Sequence, residues 1–483
     1  MSTQRRSTPS RAGYERVSDD YLQQRQLRQG AAGWLLLAGL GVAYVISGDF
    51  SGWNLGLAEG GWGGLLIAFL LMGLMYTCMV FGLAEMSSAM PVAGAGYGFA
   101  RRALGPLGGY ATGVAILIEY AIAPAAIATF IASYVEALQL FSLPSPWPVY
   151  LACYALFVGI HLWGVGEAMK VIFGITALAV VALLVWMAGM IGHFEVANLF
   201  DIAPTDAAGA SEFLPMGYAG VIGAFVYGIW FFLAIEGVPL AAEESRNPRR
   251  DMPRGIIAAM LALLVFGAGV LLLAPGAAGS AAMQDSGNPL PEAARIARGE
   301  DSLLAGFVNW VGLAGLVASF FSIVYAYSRQ LFALSRAGYL PRWMSVTGRR
   351  KTPYLALLVP AAIGFVLAAW TQDGGLLINI AVFGATVSYV LMNLSHIVLR
   401  RREPDLERPY RTPGGTVTTG IALVLSAMAV VATFFVDERA AGITAAVFVA
   451  FLAYFWFYSR HHLVASAPEE EFAALQEAES GLK

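Results

Sequence analysis

Ile46-Ser-Gly-Asp-Phe-Ser-Gly-Trp-Asn-Leu-Gly56 lies inside the first long apolar segment of the chain and puts Gly48, Asp49, Gly52 and Gly56 where a plain membrane anchor would carry hydrocarbon. Glycine weakens a helix interior by about 1 kcal/mol relative to alanine, and a carboxylate near the bilayer centre is costly unless it faces a polar cavity. The stretch therefore reads as a break in a helix. Non-helical backbone survives at membrane depth only where protein or a water-lined cavity satisfies its freed N–H and C=O groups, and in transporters such breaks form sites near the midplane. Folds of that kind are built from repeats, so a second break is expected in the other half. Gly228-Ile-Trp-Phe-Phe-Leu-Ala-Ile-Glu-Gly-Val-Pro239 supplies it, with Glu236, Gly237 and Pro239 in mid-hydrocarbon. The opposing reading, a kinked packing helix with a neutralised acid, needs the same coincidence twice.

Composition agrees. The 483 residues are 58% hydrophobic and 13% charged, far from the roughly 25% charged of a soluble globular chain, and this is the signature of a polytopic membrane protein. A net charge of -3 points to no nucleic-acid partner. Cys78 and Cys153 both fall in apolar spans and imply neither a disulfide framework nor a zinc site. The histidines show no ligand spacing, so no metal centre and no cofactor are expected.

Apolar runs long enough to cross about 30 Å of hydrocarbon lie near 33 to 58, 63 to 88, 107 to 138, 148 to 166, 169 to 192, 217 to 241, 254 to 276, 303 to 334, 354 to 371, 375 to 399, 416 to 436 and 440 to 459, which makes twelve. With the N-terminus inside, the cytosolic side receives all of the 29 lysines and arginines except Arg295, Arg298 and Arg439, as the positive-inside rule requires. The expected organisation is a cytosolic tail over 1–32, a core of ten spans over 33–400 with repeats at about 33–192 and 217–400, a loop and two spans over 401–460, and a cytosolic tail over 461–483. The outer loops 193–215 and 276–301 read as solvated connectors, with a lid as the alternative for either. The C-terminal tail reads at most as a short amphipathic helix without function.

The segment Pro91-Val-Ala-Gly-Ala-Gly-Tyr-Gly-Phe-Ala-Arg-Arg-Ala-Leu-Gly-Pro-Leu-Gly108, read as a cytosolic loop, resembles the signature after the second helix of amino acid-polyamine-organocation (APC) permeases. Its glycines follow no strand, which argues against a nucleotide loop. Three further motifs agree in order and spacing: Ala241-Ala-Glu-Glu-Ser-Arg-Asn-Pro-Arg-Arg-Asp-Met-Pro253, Ser328-Arg-Gln-Leu-Phe-Ala-Leu-Ser-Arg-Ala-Gly-Tyr-Leu-Pro341 and Arg408-Pro-Tyr-Arg-Thr-Pro413. The resemblance implies an all-α fold of 12 transmembrane helices: two inverted five-helix repeats, with helices 1 and 6 broken at a central site, plus two extra helices. Within the superfamily, Val45 to Gly64 and Ile118-Glu-Tyr120 resemble the ethanolamine permeases.

By analogy with the superfamily, backbone donors are expected near Ser51, Gly52, Trp53 and Asn54, flanked by Ser47 and Gly48, with Ala234, Glu236 and Gly237 at the second break. Asp49 sits just before these donors, and a fixed carboxylate there would repel a substrate carboxylate. That favours a cation without an acid group, and ethanolamine fits with one ammonium and one hydroxyl. Asp49, Glu119 and Glu236 are the acids deepest in the spans; one is expected to meet the ammonium and another to carry a proton, against the alternative that each is a hydrogen-bonded packing acid. Trp53, Trp230 and Tyr120 are candidates for an aromatic wall around an ammonium. Ser319 and Ser322 offer hydroxyls to a sodium ion, unless they bond their own backbone. Glu85 reads as an interfacial structural acid. The expectation is a proton-coupled secondary transporter of the plasma (inner) membrane that imports ethanolamine or a similar small amine by alternating access. It is not read as an enzyme. The alternatives are a broader amino acid or polyamine permease and a transporter-like sensor without flux; the oligomeric state stays open.

Overall fold

A computed structural model describes residues 32–91, 94–139, 144–464, 467 and 470, with backbone but no side chains at 165–170 and 243–244. The expected N-terminal tail thus lies outside the described residues apart from Ala32, as does most of the C-terminal tail. Each of the twelve apolar runs contains a helix: α1 (Trp34–Val45), α3 (Leu55–Ala89), α4 (Gly96–Ala137), α5 (Trp147–Trp163), α6 (Val165–Met190), α7 (Gly217–Trp230), α8 (Pro248–Ala278), α11 (Leu303–Arg336), α12 (Tyr354–Thr371), α13 (Gly374–Arg402), α14 (Thr416–Val436) and α15 (Glu438–Phe457). Shorter helices are α2 (Ser47–Phe50), α9 (Ser280–Met283) and α10 (Pro289–Arg298). Among the described residues, ten helical stretches are long and apolar enough to cross a membrane, while α1 and α5 are shorter apolar helices.

Two glycines with left-handed backbone divide long helices. At Gly61 (φ 64°) a Cβ would run into the Pro215 ring, so the chain turns there from the last part of the first apolar run into the second. At Gly105 (φ 81°), followed by Pro106, the span of α4 separates from a preceding helical piece. The segment expected as a loop from Pro91 is therefore helical from Gly96 onward. Its small residues let it lie close to other helices, as where Gly96 meets Met392 and Ile116.

Small residues also set the packing of the core. Gly60 approaches the Gly220 carbonyl and Gly228 approaches Ala68, which brings α3 against α7; Gly384 of α13 lies on the Ala115 carbonyl of α4. Such contacts replace the hydrophobic drive that lipid cannot supply between helices. α14 and α15 lie at the periphery and expose Val424, Val431, Phe435, Ile443 and Val449, an outward apolar face suited to lipid.

The segment 276–301 is not a solvated connector and covers the first break, as the lid alternative expects. Met283, Leu290, Ala293 and Ala294 are buried, the Trp186 indole donates to the Leu290 carbonyl at 2.9 Å, and Asn54 donates to the carbonyls of Met283 and Ser286, both at 2.8 Å. α9 and α10 thus form a cap over the first break. On the opposite side, Glu85 of α3, expected as a structural acid, is the centre of an ion-pair cluster. It accepts from Arg400 at 2.6 Å and from the Thr412 N–H at 2.7 Å, with Arg408 at 3.0 Å and His396 at 3.3 Å. Glu470 of the C-terminal tail is also buried, pairing with Arg101 at 2.7 Å and accepting from Tyr339 at 2.9 Å. Those signature-motif arginines and Thr412 therefore hold the end of the bundle together and do not line the break.

Candidate functional site

Both expected breaks are present. α1 ends at Val45 and the one-turn α2 ends at Phe50, after which Ser51 is extended and Gly52 takes φ 91°. α7 ends at Trp230, Ala234 takes φ 77°, and a 3-10 stretch Ile235–Glu244 follows with Pro239 inside it. The two breaks touch. The Trp230 indole donates to the Ser51 carbonyl at 2.9 Å, Gly48 packs on the Trp230 carbonyl, and the rings of Trp53 and Phe231 lie 5.8 Å apart. A Cβ at Gly52 would stand 2.5 Å from the Trp230 Nε1, so this crossing requires glycine by space as well as by φ.

Asp49 lies in α2, fully buried, and neither of its carboxyl oxygens has a hydrogen-bond partner. The Trp53 Nε1 is likewise buried and unpartnered. Several donors expected beside it are already engaged. The Ser51 N–H bonds the Ser47 carbonyl at 2.9 Å, the Gly52 N–H bonds Asn54 Oδ1 at 3.1 Å, and the Ser51 hydroxyl donates to the Gly287 carbonyl at 2.9 Å. The side chains of Ser51 and Asn54 thus hold the cap instead of presenting donors to a ligand. A side chain that leaves the helix at a break meets whatever element crosses it, and sequence does not say which.

Glu119, Tyr120 and Glu236 form a second cluster, reached from α4 and from the 3-10 stretch. Tyr120 donates to Glu236 Oε1 at 2.7 Å. The Tyr389 hydroxyl of α13 lies 3.1 Å from Glu236 Oε2, 3.4 Å from Glu119 Oε1 and 2.9 Å from the Tyr76 hydroxyl of α3. Gly237 makes room here, since a Cβ would sit 3.0 Å from the Tyr120 hydroxyl and 3.1 Å from the Tyr44 ring. Tyr120 is therefore a hydrogen-bond donor to an acid, and its role is not confined to an aromatic wall. Tyr76 and Tyr389 escaped the sequence reading. Their only signal is a phenol deep in an apolar run, which 20 tyrosines in the chain dilute.

The hydroxyl pair separates. Ser322 donates to Ala318 of its own helix at 2.8 Å, the backbone bond that the competing reading describes. Ser319 bonds the Ser47 hydroxyl at 2.8 Å and the Tyr44 carbonyl at 2.7 Å, joining α11 to the end of α1. Among the described residues, no group of three or more His, Cys, Asp or Glu is placed to hold a metal ion.

A helical bundle with long apolar spans, two touching helix breaks and buried acids between them belongs to the class of multi-pass membrane permeases. The amino acid permease family model matches residues 35–471, and the chain belongs to that family, within the APC superfamily. It is 29% identical over 405 residues to an uncharacterized transporter of Rhizobium meliloti (strain 1021), covering 82% of this chain and 84% of that one. It is 27% identical over 416 residues to the branched-chain amino acid permease BcaP of Bacillus subtilis (strain 168), with 81% and 84% covered. The L-asparagine permease of Streptomyces coelicolor is 26% identical over 426 residues, with 84% and 85% covered.

Proposed function

We propose that this permease is a secondary active transporter that imports ethanolamine or a similar small amine by alternating access, coupled to protons, across the plasma membrane. Its twelve spans form two inverted five-helix repeats plus two helices, with both termini in the cytosol. The observation that carries the reading is Asp49. Ionising a carboxyl that is buried with no donor costs several kcal/mol, of the order of its lost hydrogen bonds and hydration, and an ammonium delivered to the break offsets that cost and draws out the charge in a charge-assisted bond. A substrate carboxylate brings no such compensation: the Ser51 and Gly52 N–H groups are occupied, and a second negative charge beside Asp49 is disfavoured.

Coupling to protons is supported by the Glu119 and Glu236 pair, two acids buried together on opposite halves of the chain. The hydroxyls offer less to sodium, since Ser322 is committed to its own helix. The named relatives carry branched-chain amino acids or asparagine, and that favours a second reading in which this site takes whole amino acids. Competition in proteoliposomes separates the two. Unlabelled ethanolamine, serine, alanine and putrescine are set against labelled ethanolamine; ethanolamine is expected to compete and serine to fail. Serine or alanine competing as well as ethanolamine establishes the amino acid reading instead, and binding without exchange of label marks a sensor.

A further inference from the structure

The hydrogens around Tyr389 can be counted. A phenol has one hydrogen to donate and two lone pairs to accept with, and three oxygens surround this one: Glu236 Oε2, Glu119 Oε1 and the Tyr76 hydroxyl. If Tyr389 donates to the nearer carboxyl, Glu236, its oxygen accepts from Tyr76 and from Glu119. Glu119 has a hydrogen to give only as the neutral acid. The opposite assignment puts the proton on Glu236 and the charge on Glu119. The remaining oxygens discriminate. Both oxygens of Glu236 have partners, because Oε1 also receives the Tyr120 hydrogen, whereas Glu119 Oε2 is buried without one. A carboxylate oxygen left without a donor costs more than the carbonyl oxygen of a neutral acid, so the charge belongs on Glu236. The groups facing the pair are Tyr44 from α1, Tyr76 from α3, Tyr120 from α4 and Tyr389 from α13, with the backbone N–H of Ala234 toward Glu119, that of Glu236 toward its own carboxyl, and the two carboxyls against each other. Among the described residues, neither acid has an ion pair with a lysine, arginine or histidine.

We propose that Glu119 carries the transported proton, that Glu236 stays ionised, and that Tyr389 is the positioning residue that fixes this division. The proposal rests on the proton-coupled reading above and names the acid responsible. In each cycle Glu119 takes one proton from outside water and releases it to cytosolic water, while the Tyr389 hydrogen stays on its bond to Glu236. The hydrogen bond from Glu119 to the Tyr389 oxygen is lost with that proton and re-forms when the next one binds.

Infrared difference spectra of the purified protein test the assignment without any substrate. Wild type minus Glu119→Gln is expected to show the C=O stretch of a buried neutral carboxyl, and wild type minus Glu236→Gln is expected to show carboxylate bands only. Tyr389→Phe should shift the neutral-carboxyl band, which loss of packing alone does not do while the circular dichroism and melting of the variant match wild type. In proteoliposomes Glu119→Gln should lose accumulation of labelled ethanolamine driven by a pH gradient. A neutral-carboxyl band that disappears with Glu236→Gln overturns the division, and an unmoved band in Tyr389→Phe overturns the role of the phenol. Wild-type accumulation that ignores the pH gradient sinks the proton-coupled reading instead, while the infrared result still reports which acid holds a proton.

Discussion

At the scale of single residues, Asp49 sets two effects against each other. Its carboxyl is buried without a partner, so an amide of the same shape replaces it in the ligand-free protein at little cost, whereas a bound ammonium needs the charge that only the acid can supply. Asp49→Asn is expected to leave the melting temperature of the empty protein within the equivalent of about 1 kcal/mol of wild type, and to lower ethanolamine uptake by about tenfold or more through the lost charge-assisted contact. It should also narrow the gap between ethanolamine and serine, because the repulsion of a substrate carboxylate disappears with the charge. Melting curves with and without ethanolamine, beside the competition assay, read both directions. A variant that loses stability and uptake together would make Asp49 a packing acid.

Among elements, the crossing of the two breaks and the cap above them carry the next predictions. Gly52→Ala places a Cβ against the Trp230 indole in a left-handed conformation that costs a non-glycine residue about 1–2 kcal/mol. It should break the bond from Trp230 to Ser51 and lower the melting temperature, and indole fluorescence together with melting checks it. Asn54→Ala removes both bonds to the cap carbonyls. The expected outcome is faster amide exchange confined to residues 280–298 and to Gly52, whose N–H also loses its partner, measured by hydrogen-exchange mass spectrometry, with the end of the bundle opposite the cap unchanged. Exchange that rises everywhere would mean that Asn54 supports the fold and not the cap.

For the whole molecule, the end of the bundle opposite the cap is held by ion pairs that link distant parts of the chain: Glu85 with Arg400 and Arg408, and Arg101 with Glu470. Removing one partner of a buried pair leaves the other charge uncompensated, at about 3–5 kcal/mol. Glu85→Ala should therefore destabilise the protein by that order in a denaturation series, more than truncation at an exposed acid such as Glu407. Coupling also belongs to this scale, since it concerns the cycle of the entire bundle. Uptake measured with sodium replaced by choline at fixed pH, choline first being shown not to compete, is expected to persist and to collapse with the pH gradient. Flux lost with sodium and indifferent to the gradient would transfer the coupling to Ser47 and Ser319, whose hydroxyls meet the Tyr44 carbonyl.

Sequence alone determined what lipid and backbone chemistry demand locally. Each apolar run became a helix because backbone groups in hydrocarbon must bond within their own segment, and Gly48, Asp49 and Gly52 marked a break because they violate that demand over a few residues. The same reasoning placed a second break within Gly228 to Pro239, where the helix ends at Trp230 and Ala234 turns left-handed. Tertiary structure decided which partners those residues meet. Ser51 and Asn54 turned to a cap more than two hundred residues away in sequence, Glu85 gathered a histidine and two arginines from the far end of the chain, and Tyr76 and Tyr389 joined two acids that no spacing connects. Periodicity records which residues belong inside, but a hydrogen bond needs an orientation and a distance between separate helices, and only their packing supplies both.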